Sequence, residues 1–588
     1  MIYVRPVAAF LTGIFLLSVT GMFVAACRSA ETLPQRTRDA TEVAERTDIE
    51  TLSTSMETLS TEEPPPIEAG LAPPDGPYAP GFDAIHYDVA VSLPDTGTFL
   101  LGSTAASILL TSRRADTLSL DFSGLAVSSV RESGRRLPFV HRDGKIQIPI
   151  PAILGSGDTL RVEIDYHGRP DDGLILGTNI HGDPTAFADN WPNRARFWFP
   201  SIDHPSDKAT VSFTVEAQPD WRVVANGELE SHDDSGVWRW VNPEPIPTYT
   251  MVVGAANFVV ERLATDCVEP SEACPEVTTW LFPQDTAAAS GSFRRAGDMV
   301  SYYSRLIAPF PYRKLAHVQS STVFGGMENV TAIFYAQEAL SAGDDIELTV
   351  AHETAHQWFG NAVTESDWNH LWLSEGLATY FAALFFEEAD GTEKFREIME
   401  EYRTGYLTSE TVGVPIIGTG QDNLFALLNA NNYYKGAWVL HMLRVRLGDR
   451  AFFEGIRNYY MTFEHGTVLT DDLRRSFEGV THEDLRGFFD LWVFTPGHPQ
   501  FDIEWSWDAE SEAVHVQIEQ VQPEEWSVYE GPLVLEIETD RGSERMHAEV
   551  SGRRTTIDFP VTSDVRSLKA DPAGDMLSEI VDVREVAR

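Results

Sequence analysis

The spacing of apolar residues changes along the chain, and each change marks an expected structural unit. Between residues 77 and 285 the apolar positions come in short runs suited to strands: Ser107-Ile108-Leu109-Leu110, Lys145-Ile146-Gln147-Ile148-Pro149-Ile150 and Arg161-Val162-Glu163-Ile164. The last two alternate, so one face of each strand is apolar. Gly, Pro and Asp punctuate the runs, and the pattern predicts an all-β domain. From 286 to 496 the period becomes helical, apart from a strand-like patch around residues 317–330. Residues 348–362 read as one helix and roughly 371–388 as a second, with Leu373, Leu377, Phe381 and Leu384 at helical spacing. After Pro496-Gly497-His498-Pro499 the alternation returns at 501–505, 514–518 and 533–537, which predicts a small C-terminal β-sandwich over 497–588. The fold class is a multidomain α+β protein, since a chain this long exceeds one hydrophobic core.

The first 76 residues fit none of these units. Arg5 precedes an apolar run, residues 7–19, and Val24-Ala25-Ala26-Cys27 resembles a bacterial lipobox. That resemblance implies a signal peptide over 1–26, cleaved before Cys27, with a lipid on that cysteine. The alternative is an uncleaved membrane helix over residues 7–26, which are about long enough to span a bilayer. Either reading exports the chain and tethers it to a membrane. Residues 27–76 are rich in Thr, Ser, Glu and Pro, and Glu62-Glu63-Pro64-Pro65-Pro66 cannot build a core, so a disordered tether is expected. An amphipathic helix over 42–59 lacks a continuous apolar stripe.

Charge narrows the partners. Asp and Glu number 89 against 44 Lys and Arg, a formal charge of −45. Such a surface repels nucleic acid and anionic headgroups. It suits a salty environment, where self-repulsion is screened; an ordinary acidic exported protein with an acidic tether is the alternative. Lysine is confined to Lys145, Lys208, Lys314, Lys394, Lys435 and Lys569. Of three cysteines, Cys27 belongs to the lipobox; Cys267 and Cys274 are close enough in sequence to close a small disulfide loop in an exported chain, or to remain free thiols.

The chemistry centres on His352-Glu353-Thr354-Ala355-His356. Two histidines four apart on a helix share a face and can reach one metal ion, with the glutamate between them placed as a general base. Glu375 follows after eighteen residues, near the start of the second helix. Two His and one carboxylate leave a fourth zinc position open, as a catalytic site requires. Phe324-Gly325-Gly326-Met327-Glu328-Asn329 lies upstream and Tyr433-Tyr434-Lys435-Gly436-Ala437 downstream.

On GGMEN, HETAHQWFGN, LWLSEGLATY and YYKGA, the chain resembles the aminopeptidase N-like zinc metallopeptidases, a gluzincin family that also contains a leukotriene-epoxide hydrolase. The resemblance implies an N-terminal saddle domain, to which Arg196 to Pro205 and Pro247 to Met251 also correspond, and a mainly α-helical, thermolysin-like catalytic domain. The long C-terminal α-helical superhelix of many members is not expected. It implies one zinc ion on His352, His356 and Glu375, Glu353 as general base, and Tyr433, with Tyr434 as second choice, as donor to the oxyanion. It implies a substrate-binding strand of Gly325, Gly326, Met327, Glu328 and Asn329. Glu328 would take the free α-ammonium, and Phe324 is the candidate for the first side-chain pocket. The expected activity is removal of N-terminal residues from peptides with a free N-terminus; gluzincin endopeptidase and epoxide hydrolase side activity are the alternatives. A scaffold with a decayed site is excluded, since no catalytic residue is missing. Two departures stand out. The family's second amine-binding Gln or Glu is absent from Ala188-Asp189-Asn190-Trp191-Pro192-Asn193, where Asp189 or Asn190 could substitute, and Ser374 replaces a common asparagine.

Overall fold

The computed structural model describes residues 78–94, 97–112, 116–265, 275–418 and 423–587. Cys27, the segment up to residue 76, Cys267 and Cys274 lie outside the described residues.

Alternation builds the N-terminal part. Strand Thr159–Gly168 buries Leu160, Val162, Ile164 and Tyr166 on one face. It belongs to an eight-stranded sheet in which Phe82–Ser92 pairs antiparallel with Leu100–Leu110 and parallel with Lys208–Glu216. The run at 145–149 joins a separate three-stranded sheet with Thr117–Asp121 and Val140–Arg142. A third sheet, of four strands, carries Pro184–Ala188, whose end leads toward the catalytic cavity.

The catalytic part begins earlier than residue 286. Its sheet contains β1 (Val259–Arg262), β2 (Glu276–Leu281), β3 (Lys314–Ser320), β4 (Gly326–Met327) and β5 (Ala332–Ala336), in the order β1-β2-β3-β5-β4. Strand periodicity reports a buried face but not the partner strand, so β1 and β2 read with the domain before them. Short β4 forms the edge, antiparallel to β5.

Helices α1 (Ala296–Leu306), α2 (Glu347–Ala355), α3 (Trp372–Asp390), α4 (Thr392–Leu407) and α5 (Gly436–Leu447) pack beside the sheet. Every residue of α3 from Trp372 to Phe386 is buried, because α2, α4 and α5 all pack against it. α2 is shorter than the apolar pattern over 348–362 predicts. After Ala355 the chain widens into bonds such as Asn361 N–H to His356 O (3.1 Å) and Val363 N–H to Trp358 O (3.0 Å), then turns at Gly360 with φ +107°. A Cβ there would lie 2.2 Å from Ser374 Oγ, so this turn requires glycine.

One apolar core runs unbroken through the N-terminal and catalytic parts, and the C-terminal sandwich has its own core around Phe501, Ile503, Val516 and Leu535. Polar ties cross the first boundary. Lys208 donates to Asn361 O and Ala362 O, both at 2.9 Å, Lys314 donates to Ala225 O at 2.6 Å, and Asn226 donates to Val330 O at 2.6 Å. Lys435 donates to Thr495 O at 3.1 Å. Burial brings each of these three ammonium groups down to about 7.

Candidate active site

α2 presents His352 in its last turn and His356 at its C-terminal cap, while α3 presents Glu375 in its first turn. Glu375 Oε2 lies 3.2 Å from Nε2 of each histidine, and the two Nε2 atoms are 3.0 Å apart. The far side of each ring is held. His356 Nδ1 donates to Phe359 O (2.9 Å), which leaves Nε2 as a bare lone pair facing the centre. Ser374 Oγ stands 3.4 Å from the same Nδ1, and Thr379 Oγ1 stands 3.4 Å from His352 Nδ1.

These residues fit a divalent cation. Glu328, Glu353 and Glu375 are all buried around the two imidazoles, and Glu353 Oε2 and Glu375 Oε2 have no hydrogen-bond partner. In the protein alone, burial pushes the Glu353 carboxyl well above the usual range, offset by His356 and reinforced by Glu328 and Glu375. Burial acts the same way on Glu375, but the two imidazoles beside it, His356 foremost, override it and hold that carboxyl at about 2. A cation's charge is what such a cluster lacks. Two imidazoles and one carboxylate make a zinc donor set with an open position.

β4 lies directly over Glu353. A Cβ on Gly326 would come within 2.2 Å of Glu353 Oε1, so only glycine lets the strand edge approach. The next turn carries Glu328, whose carbonyl accepts from Gln357 Nε2 (3.1 Å) and Asn361 Nδ2 (2.6 Å). Gln357 also accepts from the main chain of Thr331 at 3.0 Å, where φ is +62°. The Glu328 carboxylate groups with Glu353 and His356 within 4.8 Å. Burial raises it to about 7, with His356 opposing and Glu375 adding, while the nearby Tyr249 hydroxyl donates to Gly360 O at 3.2 Å.

Tyr433 comes from a π-helical turn, Asn431–Lys435, in which Lys435 N–H reaches back to Ala430 O at 3.0 Å. The extra residue in that turn aims Tyr433 at His352 and Glu375. Its ring stacks on His352 with centroids 6.0 Å apart, and burial first, then the charge of Glu375, pushes its hydroxyl well above the usual range. Tyr434 also lines the cavity, stacked on Tyr402 at 5.2 Å. α3 and α5 nearly touch here: a Cβ on Gly436 would lie 3.0 Å from Gly376 Cα.

The cavity gathers Phe324, Gly325, Gly326, Met327, Glu328, His352, Glu353, His356, Glu375 and Tyr433. Asn329 is buried but does not line it. Phe324 packs edge-on against Trp191 at 6.0 Å, with the Arg194 guanidinium 5.8 Å from its ring centroid. Neither candidate for the second amine contact lines the cavity. Asn190 spends its side chain on Thr248 O, Met251 O and Trp198 Nε1, and Asp189 pairs with Arg194 at 3.2 Å. Sequence reasoning missed Trp191, Leu348, Thr379, Glu401, Tyr402 and Leu428 as lining residues. Helical spacing carries a signal for two of them, since Leu348 precedes His352 by four and Thr379 follows Glu375 by four.

Comparison with known proteins agrees with this geometry. Residues 83–250 match the peptidase M1 N-terminal domain and residues 295–492 match the peptidase family M1 domain, together more than half the chain. A leucyl aminopeptidase from Saccharolobus solfataricus is 24% identical over 78% of this chain and 58% of its own length. The match to a 26% identical tricorn protease-interacting factor F2 from Thermoplasma acidophilum takes in 66% of this chain and 50% of that protein, so the chain spans about half the length of these relatives. A leukotriene A-4 hydrolase from Xenopus laevis is 24% identical over 71% of this chain and 72% of its own. Among solved structures, an M1 zinc metallopeptidase from Deinococcus radiodurans superposes with a TM-score of 0.61 at 25% identity, covering 70% of this chain and 94% of that one.

Proposed function

We propose, on the premise that the chain belongs to peptidase family M1, that it is a zinc-dependent aminopeptidase releasing N-terminal residues from peptides. His352, His356 and Glu375 hold the metal, which supplies Lewis acidity and an acidified water when bound. Glu353 takes the proton of the attacking water and hands it to the leaving amine. The Tyr433 hydroxyl donates to the oxygen on which negative charge develops. Gly325, Gly326 and Met327 offer a strand edge along which an extended peptide can pair.

The observation that carries the exopeptidase reading is Glu328, a buried carboxylate grouped with Glu353 and His356 inside the cavity. An α-ammonium held there places the first peptide bond, and no other, beside the base. An endopeptidase needs no such anchor. Glu328→Ala is expected to lower kcat/KM on free-amine peptides on the order of a hundredfold while metal content stays at wild type. The assay compares one peptide, free and N-acetylated, on both proteins. Equal cleavage of the two forms by the wild type makes the protein an endopeptidase instead.

We also propose that the chain is exported and lipid-anchored through Cys27, and that Cys267 and Cys274 form a disulfide. The support is the Val24-Ala25-Ala26-Cys27 sequence after an apolar run, and the pairing of two nearby cysteines in an exported chain. Fatty-acid labelling should mark wild type and spare Cys27→Ser; an unlabelled wild type rules the anchor out.

A further inference from the structure

We propose that Glu401 selects the residue on the far side of the scissile bond, favouring peptides whose second residue is lysine or arginine. The assignment rests on the aminopeptidase reading, and direction follows from the site. Glu328 groups with Glu353 and His356, so the peptide's ammonium sits at the His356 end of the metal ligands. Phe324 and Trp191, at the same end, are left for the first side chain. Away from that end, α2 runs back one turn from His352 to Leu348, and α3 runs forward one turn from Glu375 to Thr379. Beyond them the cavity is walled by Glu401 and Tyr402 of α4. The chain past the scissile bond leads there.

This end of the cavity is built for a cation on an aliphatic stem. Tyr402 and Tyr434 stack with centroids 5.2 Å apart and planes 17° apart, and Gly405 makes room for them, since a Cβ there would meet Tyr434 at 2.5 Å. A lysine stem or a guanidinium plane packs well on such rings. Glu401 stands beside the pair: burial is the main reason both phenols are raised, and the Glu401 charge adds to it. Its own carboxylate is exposed and uncommitted. The cations of α4 serve other partners, Lys394 with Glu397 (3.2 Å), Arg396 with Glu393 (3.7 Å) and Arg403 with Glu400 (2.8 Å), and among the described residues no ion pair includes Glu401.

The alternative source of such a preference is the whole molecule, whose charge of −45 attracts any cationic peptide. One substitution separates the two, because removing one charge hardly alters that total. The experiment measures kcat/KM on three free-amine tripeptides that differ only in a leucine, lysine or glutamate at the second position, with wild type, Glu401→Gln and Glu401→Lys. The wild type should favour lysine over glutamate roughly fivefold, as an exposed carboxylate allows. Glu401→Gln should lose most of that ratio and Glu401→Lys should invert it, with thermal melts showing each variant folded. If the leucine peptide is cleaved but the lysine-to-glutamate ratio is the same in wild type and Glu401→Gln, the Glu401 assignment is overturned and the preference is the global field. If the wild type cleaves none of the three, the aminopeptidase reading fails and takes this one with it.

Discussion

Glu353 and Glu375 are both buried carboxylates with an unbonded oxygen, yet their surroundings divide their roles. Glu375 contacts both imidazoles at 3.2 Å, whereas Glu353 lies under Gly326 and contacts neither. Glu353→Gln should therefore retain zinc and lose turnover by several orders of magnitude, while Glu375→Ala or His352→Ala should lose the metal itself. Elemental analysis beside a peptide assay checks this; a metal-free Glu353→Gln would reverse the assignment. His352, Glu353 and His356 are legible in sequence because helix geometry alone brings them together. Trp191, Tyr249 and Glu401 are not, because each arrives from a different part of the chain through tertiary packing. Asn190 shows the converse: the sequence leaves it free to bind an amine, and the fold uses all its hydrogen bonds elsewhere.

Elements position these residues through glycine contacts. Gly376 on α3 and Gly436 on α5 bring the two helices to backbone contact, and the π turn just before α5 then carries Tyr433 over His352. Gly436→Ala inserts a methyl where the nearest backbone carbon is 3.0 Å away, so the helices must part. The expected cost is about 1–3 kcal/mol of stability, with a drop in kcat as Tyr433 shifts. Urea unfolding and turnover measured together test it; an alanine variant with wild-type values in both would show the contact to be slack. Apolar periodicity announced α3 almost to its ends, because that helix is wrapped by protein and most of its residues are apolar. It overran α2, because Trp358, Phe359 and Ala362 prolong the apolar spacing while the chain leaves the helix through longer-range bonds and the turn at Gly360. The three-part α+β architecture was legible as changes of period, but the assignment of β1 and β2 was not, since a strand's own sequence does not name its neighbour.

At the scale of the molecule, the N-terminal and catalytic parts behave as one body around a continuous core, and the sandwich stands on its own core. The whole chain carries a formal charge of −45, which opposes compaction through self-repulsion. Added salt screens that repulsion, so the melting temperature should rise between about 0.1 and 1 M NaCl, where the Debye length shrinks from about 10 to 3 Å. A flat or falling melting temperature over that range would mean the charge is balanced locally. Scarce lysine is part of the same composition, and the fold spends half of it internally. Lys208, Lys314 and Lys435 give their ammonium groups to main-chain carbonyls. Lys145 and Lys394 are paired with Asp121 and Glu397, leaving Lys569 on the sandwich. For amine-directed conjugation, whether to a dye, a resin or a crosslinker, the folded protein thus offers very few handles, and none of them lines the cavity. Chemistry that immobilises most proteins at random would hold this one through Lys145, Lys394 and Lys569, all of them outside the catalytic cleft.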